Sequence, residues 1–428
     1  MKKILLLFTA ISFAASAQTP SLKNTPPLTE AKPASAGISA ERLNRISDMI
    51  QQAVNDNVIP GAVALVARNG KIVYHKAFGE SDVEKGKAFE KNSIFRIASQ
   101  SKAITTTAAM MLWEEGKFRL DDPVSKYIPE FANPQVLDRF RMADSSFTTK
   151  PAGKEITIRN LITHTSGLGY GVIDGDERFK AIYAKAGITD LFTTEPVTIE
   201  ESVKKLAKLP LHHVPGEKFT YSEGLDVLGY LIEIWSGQSF DEYLKLHIFE
   251  PLNMQDTFFY LPVAKSDRLV EVQTKDKDGN WVHFTDAFYD VNYPKTGAKS
   301  FFSGGAGLSS TAKDYAIFLN MYLNQGETNG VRLLSRKTVE FMLSNQIGEL
   351  FGNHAGFGLG YEVLNANGAA MGGLGSEGTF RWGGYFNTQY FADPKEKVIG
   401  IIMKQTQRVG GDYTGDMFRQ LVFQTIDD

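Results

Sequence analysis

The stretch Phe95-Arg96-Ile97-Ala98-Ser99-Gln100-Ser101-Lys102, running on to Leu112, decides how the rest of the chain is read. Ile104, Ala108, Met111 and Leu112 recur at helical spacing, and Gly116 offers a helix stop. Ser99 then stands at the mouth of a mostly apolar helix, with Lys102 one turn along the same face. A serine hydroxyl is a weak nucleophile until a base takes its proton, and a lysine does so only when burial favours its neutral form. An apolar helix entering a core supplies that burial, and its N-terminus offers backbone N–H groups where an oxyanion would form. The plainer alternative for Ser99 is a satisfied helix cap.

The spacing alone does not choose. Ser202-Val203-Lys204-Lys205 and Ser310-Thr311-Ala312-Lys313 have the same form. The first falls in a helix opened by a Thr198…Glu201 capping box, with Val203 and Leu206 inward and the lysines solvated. The second opens an amphipathic helix on which Asp314 follows Lys313. Only Ser99 leads into a helix apolar enough to desolvate its lysine.

Upstream, Ser39 caps a helix with Leu43, Ile46, Ile50 and Ala53 in one stripe. Ala62–Arg68 and Lys71–Phe78 are strand-like and joined by Asn69-Gly70, a hairpin turn signal. Leu120 to about Leu261 is helical and loop-rich, with Leu225, Leu228, Ile232 and Trp235 inward on one helix and a Ser239…Glu242 capping box opening another. Lys265 to Ser300 is polar and irregular, which predicts long loops. Tyr315, Phe318, Leu319 and Tyr322 share a helix face. The runs Phe357–Leu364, Thr379–Phe386, Thr388–Ala392 and Lys397–Lys404 are strand-like, and Met417, Leu421 and Phe423 fall on a closing helix. Strands at both ends with helices between imply one mostly antiparallel sheet and a helical insertion, with a cleft between them as the place for a site.

Pro215-Gly216-Glu217-Lys218-Phe219-Thr220-Tyr221-Ser222 precedes the Leu225–Trp235 helix. A tyrosine in a turn at a helix start can hold its phenol in a cleft, where a neighbouring ammonium makes it a proton shuttle; the plainer reading is a packed loop tyrosine. Four segments, Phe95–Lys102, Leu161–Leu168 (Leu-Ile-Thr-His-Thr-Ser-Gly-Leu), Pro215–Ser222 and Ser303–Thr311 (Ser-Gly-Gly-Ala-Gly-Leu-Ser-Ser-Thr), together resemble the serine β-lactamase and penicillin-binding-protein superfamily, in that family's order. They look most like its class C β-lactamase-like branch, which includes the family VIII carboxylesterases, and the resemblance runs from about Ile38 to the C-terminus.

The resemblance implies an α/β (α+β) β-lactamase/DD-peptidase-like fold, with Ser99 as acyl-forming nucleophile, Lys102 as its proton acceptor and Tyr221 as partner base and proton donor. Ser99 Oγ, Lys102 Nζ and Tyr221 Oη should then converge within hydrogen-bond reach. The family's third motif is placed at Trp382-Gly383-Gly384, inside a strand-like run, because Lys295-Thr296-Gly297 follows Tyr293-Pro294 in an irregular stretch. The implied oxyanion donors are the N–H groups of Ser99 and Tyr385. β-Lactamases carry Tyr-x-Asn where this chain has Tyr221-Ser222-Glu223, and Trp382 replaces the cation that would meet a substrate carboxylate. Trp382, Gly383, Gly384 and Glu223 are the expected substrate-binding residues, and both departures lean towards neutral esters. His164 reads as a hydrogen-bonded loop residue. His212-His213 cannot both face one metal, no His-Glu-x-x-His pattern appears, and there is no Gly-x-Ser-x-Gly elbow. No metal and no cofactor are expected.

The expected activity is a secreted serine hydrolase acting through an acyl-enzyme on small carboxylic esters. The alternatives are a β-lactamase, D-amino-acid peptidase or amide hydrolase, and a non-catalytic acyl-binding sensor, against which the intact Ser99, Lys102 and Tyr221 argue. The chain has 428 residues, a net charge of −3 and no cysteine. That gives no electrostatic case for nucleic acid, and neither disulfides nor a thiolate site. Met1-Lys2-Lys3, an apolar run to Ala15 and Ala15-Ser16-Ala17 before Gln18 describe a signal peptide over 1–17, and hence a periplasmic or released protein. Residues 18–38 read as a flexible leader, 39–98 and 301–428 as the sheet domain, and 99–300 as a mainly helical insertion. No stretch is long enough to span a membrane.

Overall fold

The computed structural model describes residues 19–286, 288–372 and 374–428, so the signal-peptide expectation lies outside the described residues. Its centre is a nine-stranded sheet. The strands are β1 (Thr29–Glu30), β2 (Gly61–Arg68), β3 (Lys71–Asp82), β4 (Lys87–Ala88), β5 (Ala355–Phe357), β6 (Glu362–Leu364), β7 (Phe380–Gly384), β8 (Thr388–Asp393) and β9 (Val398–Met403). The order is β5-β6-β7-β8-β9-β2-β3-β1, with β4 also on β3. Every pairing is antiparallel except β1 with β3. The two ends of the chain therefore meet in mid-sheet, where Val398–Met403 pairs with Arg68–Val63.

The central strands are apolar on both faces, and the reason is visible in their neighbours. All eight residues of β2 are buried. Val63, Leu65 and Ala67 face one core, and Ala62, Ala64 and Val66 face another. The second core is closed by α1 (Ala40–Asn55), through Leu43, Ile46, Ile50 and Ala53, and by the closing helix Thr414–Phe423, through Phe418 and Val422. Ser39 caps α1 by accepting from Arg42 N–H. Asn69 and Gly70 both have positive φ, as a tight hairpin turn requires.

The first core holds the helical part. There α2 (Ser101–Glu114) is buried from Ser101 to Leu112, and packs beside α3 (Gly224–Ser236) and α4 (Ala312–Leu323). Truncating a fully buried side chain here, Ile104→Ala for example, should cost about 2–5 kcal/mol. The closing helix Thr414–Phe423 is α5 below. Among the described residues, no helix is long and apolar enough to cross a membrane.

Several expectations need correction. The leader is not loose: Thr29–Glu30 lies on β3, Leu28 joins the first core, and Ala36 and Ile38 pack under α1. The apolar anchors are too few to stand out in a Pro-, Ser- and Thr-rich stretch. Lys265–Ser300 contains a short ladder, Gln273–Lys275 with Trp281–His283, and helical turns at Val263–Arg268 and Tyr293–Thr296. Phe357–Leu364 is a hairpin rather than one strand, because Gly358 to Tyr361 turn the chain. A half-exposed hairpin, Gln135–Arg141 with Ser146–Pro151, interrupts the helical stretch. The Thr198…Glu201 box forms, whereas Ser239 makes no side-chain cap.

Candidate active site

Phe95 and Arg96 pair with Ser310 and Ser309, which fixes the approach to the helix. Arg96 is fully buried, and its guanidinium donates to Val291 O (2.6 Å) and Val270 O (2.6 Å). Ala98 follows at φ 43°, a left-handed conformation that costs a non-glycine residue energy and here turns the chain sharply before Ser99. Ser99 thus lies in a single 3₁₀ turn at the mouth of α2. Gly384, at the end of β7, makes this possible from the other side. A Cβ there would stand 2.4 Å from Ile97 O, so only glycine lets the strand close against the turn.

Lys102 is 2% exposed. Its Nζ donates to Gly305 O (2.7 Å) and contacts Tyr170 Oη at 2.8 Å and, more loosely, Ser99 Oγ at 3.5 Å. The Tyr221 ring centroid lies 4.6 Å from Lys102 Nζ. Among the described residues Tyr221 Oη makes no hydrogen bond, so the short phenolic contact expected from Tyr221 comes from Tyr170 instead. Tyr170 is buried, and burial together with Tyr221 and nearby carboxylates pushes its phenol well above the usual range. Tyr221 is held by rings, 4.6 Å from His164, 5.4 Å from Tyr170 and 5.8 Å from Trp382.

His164 is hydrogen-bonded in its loop. Its Nδ1 accepts from Ser222 N–H (3.2 Å), and Thr220 N–H donates to its carbonyl (2.8 Å), so it grips the turn around Tyr221. Burial and the Lys102 charge hold its imidazole well below the usual value, hence neutral.

Ser99, Tyr221, Trp382, Gly383 and Tyr385 line one cavity of about 490 Å³. Neither Ser99 N–H nor Tyr385 N–H has a hydrogen-bond acceptor among the described residues. Lys295 is not part of this lining and faces Glu271 at 3.5 Å. Glu223 does not face the cleft either. It is 2% exposed behind Gly169–Val172, beside Asp190 and Asp226, and burial followed by those two carboxylates raises its carboxyl well above the usual range. Two positions past Tyr221, at the cap of α3, the backbone carries this side chain inward. His212 points to Asp174 (3.0 Å) and His213 to Thr220 (2.9 Å), so the pair diverges.

Three participants were absent from the sequence reading. Tyr170 sits in Gly169-Tyr170-Gly171, directly after the Leu161–Leu168 motif, which is the signal that could have found it. Gly305 contributes only a carbonyl. Asp226 holds that carbonyl's turn, accepting from Ser303 Oγ and Gly305 N–H, both at 2.7 Å.

A serine beside a buried amine, with free N–H groups at the mouth of α2 and just past the end of β7, defines a serine hydrolase of the acyl-enzyme kind. The chain belongs to the β-lactamase family, whose profile matches residues 46–422. It is 32% identical to esterase EstB of Burkholderia gladioli, over 86% of this chain and 91% of that one. It is 29% identical to the lovastatin esterase of Penicillium rubens, over 86% and 94%. The solved structure of EstCE1, a hydrolase with promiscuous acyltransferase activity, superposes with a TM-score of 0.76 at 28% identity, covering 89% of this chain and 98% of that one.

Proposed function

We propose that this protein hydrolyses small carboxylic esters through an acyl-enzyme on Ser99, with Lys102 and the two tyrosines moving the proton. The observation that carries this is the buried Lys102 amine between Ser99, Tyr170 and Gly305 O, on a cleft walled by Trp382 rather than a cation. The Ser99 proton passes to Lys102 as Oγ attacks the carbonyl carbon. The oxyanion forms beside the N–H groups of Ser99 and Tyr385. The alkoxide leaves with a proton relayed through Tyr221, and water then attacks the acyl-enzyme by the same path reversed. The esterase names of its relatives support this reading, and an alcohol replacing water would make the same intermediate an acyl donor. The N-terminal pattern supports a periplasmic or released protein.

The test is a substrate profile on p-nitrophenyl esters, nitrocefin and D-amino-acid amides, with a fluorophosphonate probe. Ester turnover should dominate. Ser99→Ala should lose labelling and at least about a thousandfold in turnover, while Ser202→Ala and Ser310→Ala stay near normal. Labelling without turnover would favour the acyl-binding sensor.

A further inference from the structure

The cavity at Ser99 does not end at Trp382. It also includes Gly383, Gln389, Phe391, Gly400 and Arg419, on the opposite face of the sheet. Strand register explains the turn of the corner. Arg381 pairs with Phe391 and Gly383 with Gln389 on the α5 side, while Trp382 and Tyr390 face the other way. Gly383 leaves the passage open, and Gly415 lets α5 seat against Gln389, whose Oε1 would lie 1.8 Å from a Cβ.

Arg419 lies at the far end. It is 5% exposed, and its guanidinium stands 5.8 Å over the Phe391 ring. Nε and Nη2 are buried and have no hydrogen-bond partner. The neighbouring charges do not supply one. Glu362 and Asp416 line the same cavity, but Glu362 is engaged with Arg381 through Nε (2.7 Å) and Nη2 (2.6 Å), and Asp416 makes no ion pair with Arg419 among the described residues. Burial, with Arg381 adding to it, pushes the guanidinium down to about 10. A guanidinium presents five N–H donors in a fork that fits a carboxylate, and leaving them unpaired inside a protein is costly.

We propose that Arg419 is the anion-binding end of the substrate cleft, so that the preferred esters carry a carboxylate remote from the scissile bond. This rests on the ester-hydrolase reading above. Gly384, beside the nucleophile, is three strand positions from Arg381, a span of about 10 Å. The carboxylate must therefore stand several atoms from the reacting carbonyl. One attached close to the reacting bond would stop short, beside Trp382.

Two ester series test this. On the acyl side, p-nitrophenyl monoesters of adipate and suberate are compared with p-nitrophenyl hexanoate and octanoate. On the alcohol side, the butyrate ester of 6-hydroxyhexanoate is compared with hexyl butyrate. In one series the acidic ester should have a kcat/KM roughly 10- to 100-fold higher, mostly through KM and weakening with salt. Arg419→Met should remove that preference, and Arg419→Lys should keep part of it. Equal rates in both series, or a preference that survives Arg419→Met, overturns the proposal. Binding is read separately, with Ser99→Ala and methyl hydrogen suberate. The ligand should raise the melting temperature, and should not do so in Ser99→Ala/Arg419→Met. If no ester is turned over at all, the hydrolase reading falls and the melting shift still decides whether Arg419 holds an anion.

Discussion

Ser99–Lys102 and Ser310–Lys313 share a spacing, and each lies at the start of a helix beside the first core. They differ in where the lysine goes. Lys102 is enclosed by Tyr170, Tyr221 and Gly305, whereas Lys313 is exposed and Ser310 Oγ bonds Thr257 Oγ1 at 2.7 Å. Ser202 repeats the second pattern, with Oγ on Thr189 O and an exposed Lys205. Three residues of spacing place two side chains on one helix face and do nothing more. What differs is the covering of that face: of the three helices, α2 alone is buried at every residue from Ser101 to Leu112.

The widest separation between the two regions should come from removing the amine. Lys102→Met should lower kcat/KM about a thousandfold with the melting temperature retained, while Lys313→Met and Lys205→Met change it less than about twofold. Similar losses at Lys102 and Lys313 would break the comparison.

A smaller effect distinguishes the tyrosines around the buried amine. Tyr170→Phe removes the 2.8 Å contact, and Tyr221→Phe removes a phenol open to the cleft. Each should cost about 10- to 100-fold in kcat. Only Tyr170→Phe should also move the pH–rate profile, because its hydroxyl, unlike that of Tyr221, lies within hydrogen-bond reach of the Lys102 amine. An unmoved profile in Tyr170→Phe would assign that contact to packing.

The walls matter less than the base. With Trp382 in place of a cation, nitrocefin should be turned over roughly tenfold less efficiently than p-nitrophenyl butyrate, the worth of one charge-assisted hydrogen bond. Trp382→Lys should narrow that ratio, and equal turnover by the unmutated protein would show that another cation compensates.

The smallest effect lies behind the site. Glu223 and Asp190, the latter pushed up to about 6 by burial, hold protons in the fold that the unfolded chain releases. Their contribution is intact below the ordinary carboxyl range and is lost as pH rises through the folded values. Glu223→Gln keeps the shape without ionising. Its melting temperature relative to the unmutated protein should therefore rise by a few degrees between pH 5 and pH 8. A constant difference would mean Glu223 is no less ionised when folded.

What the sequence made legible follows the same division between pattern and enclosure. The strand and helix periods predicted the sheet at both chain ends, and the motif order brought Ser99, Lys102, Tyr221 and Trp382 to one neighbourhood. Tyr170 escaped because a residue between two glycines has no period to betray its direction. The Gly305 carbonyl escaped because backbone groups carry no residue identity. Glu223 was placed in the cleft because it stands where β-lactamases carry the Asn of Tyr-x-Asn, yet at the cap of α3 its side chain is buried away from the cleft. Burial of a particular side chain is a property of the assembled neighbours, and Arg419 shows it again, since nothing around it in sequence marks an enclosed cation.

The short parallel pairing of Thr29–Glu30 on Lys71–Ile72 has a consequence for the chain's behaviour in solution. β3 is twelve residues long, and β4 covers only its far end, so without that pairing its start would be an open template for another molecule's strand. The leader acts as a guard on that edge. A chain shortened to begin at Ala40 would retain every residue of the cleft and still offer unpaired N–H and C=O groups along β3, inviting self-association by strand addition.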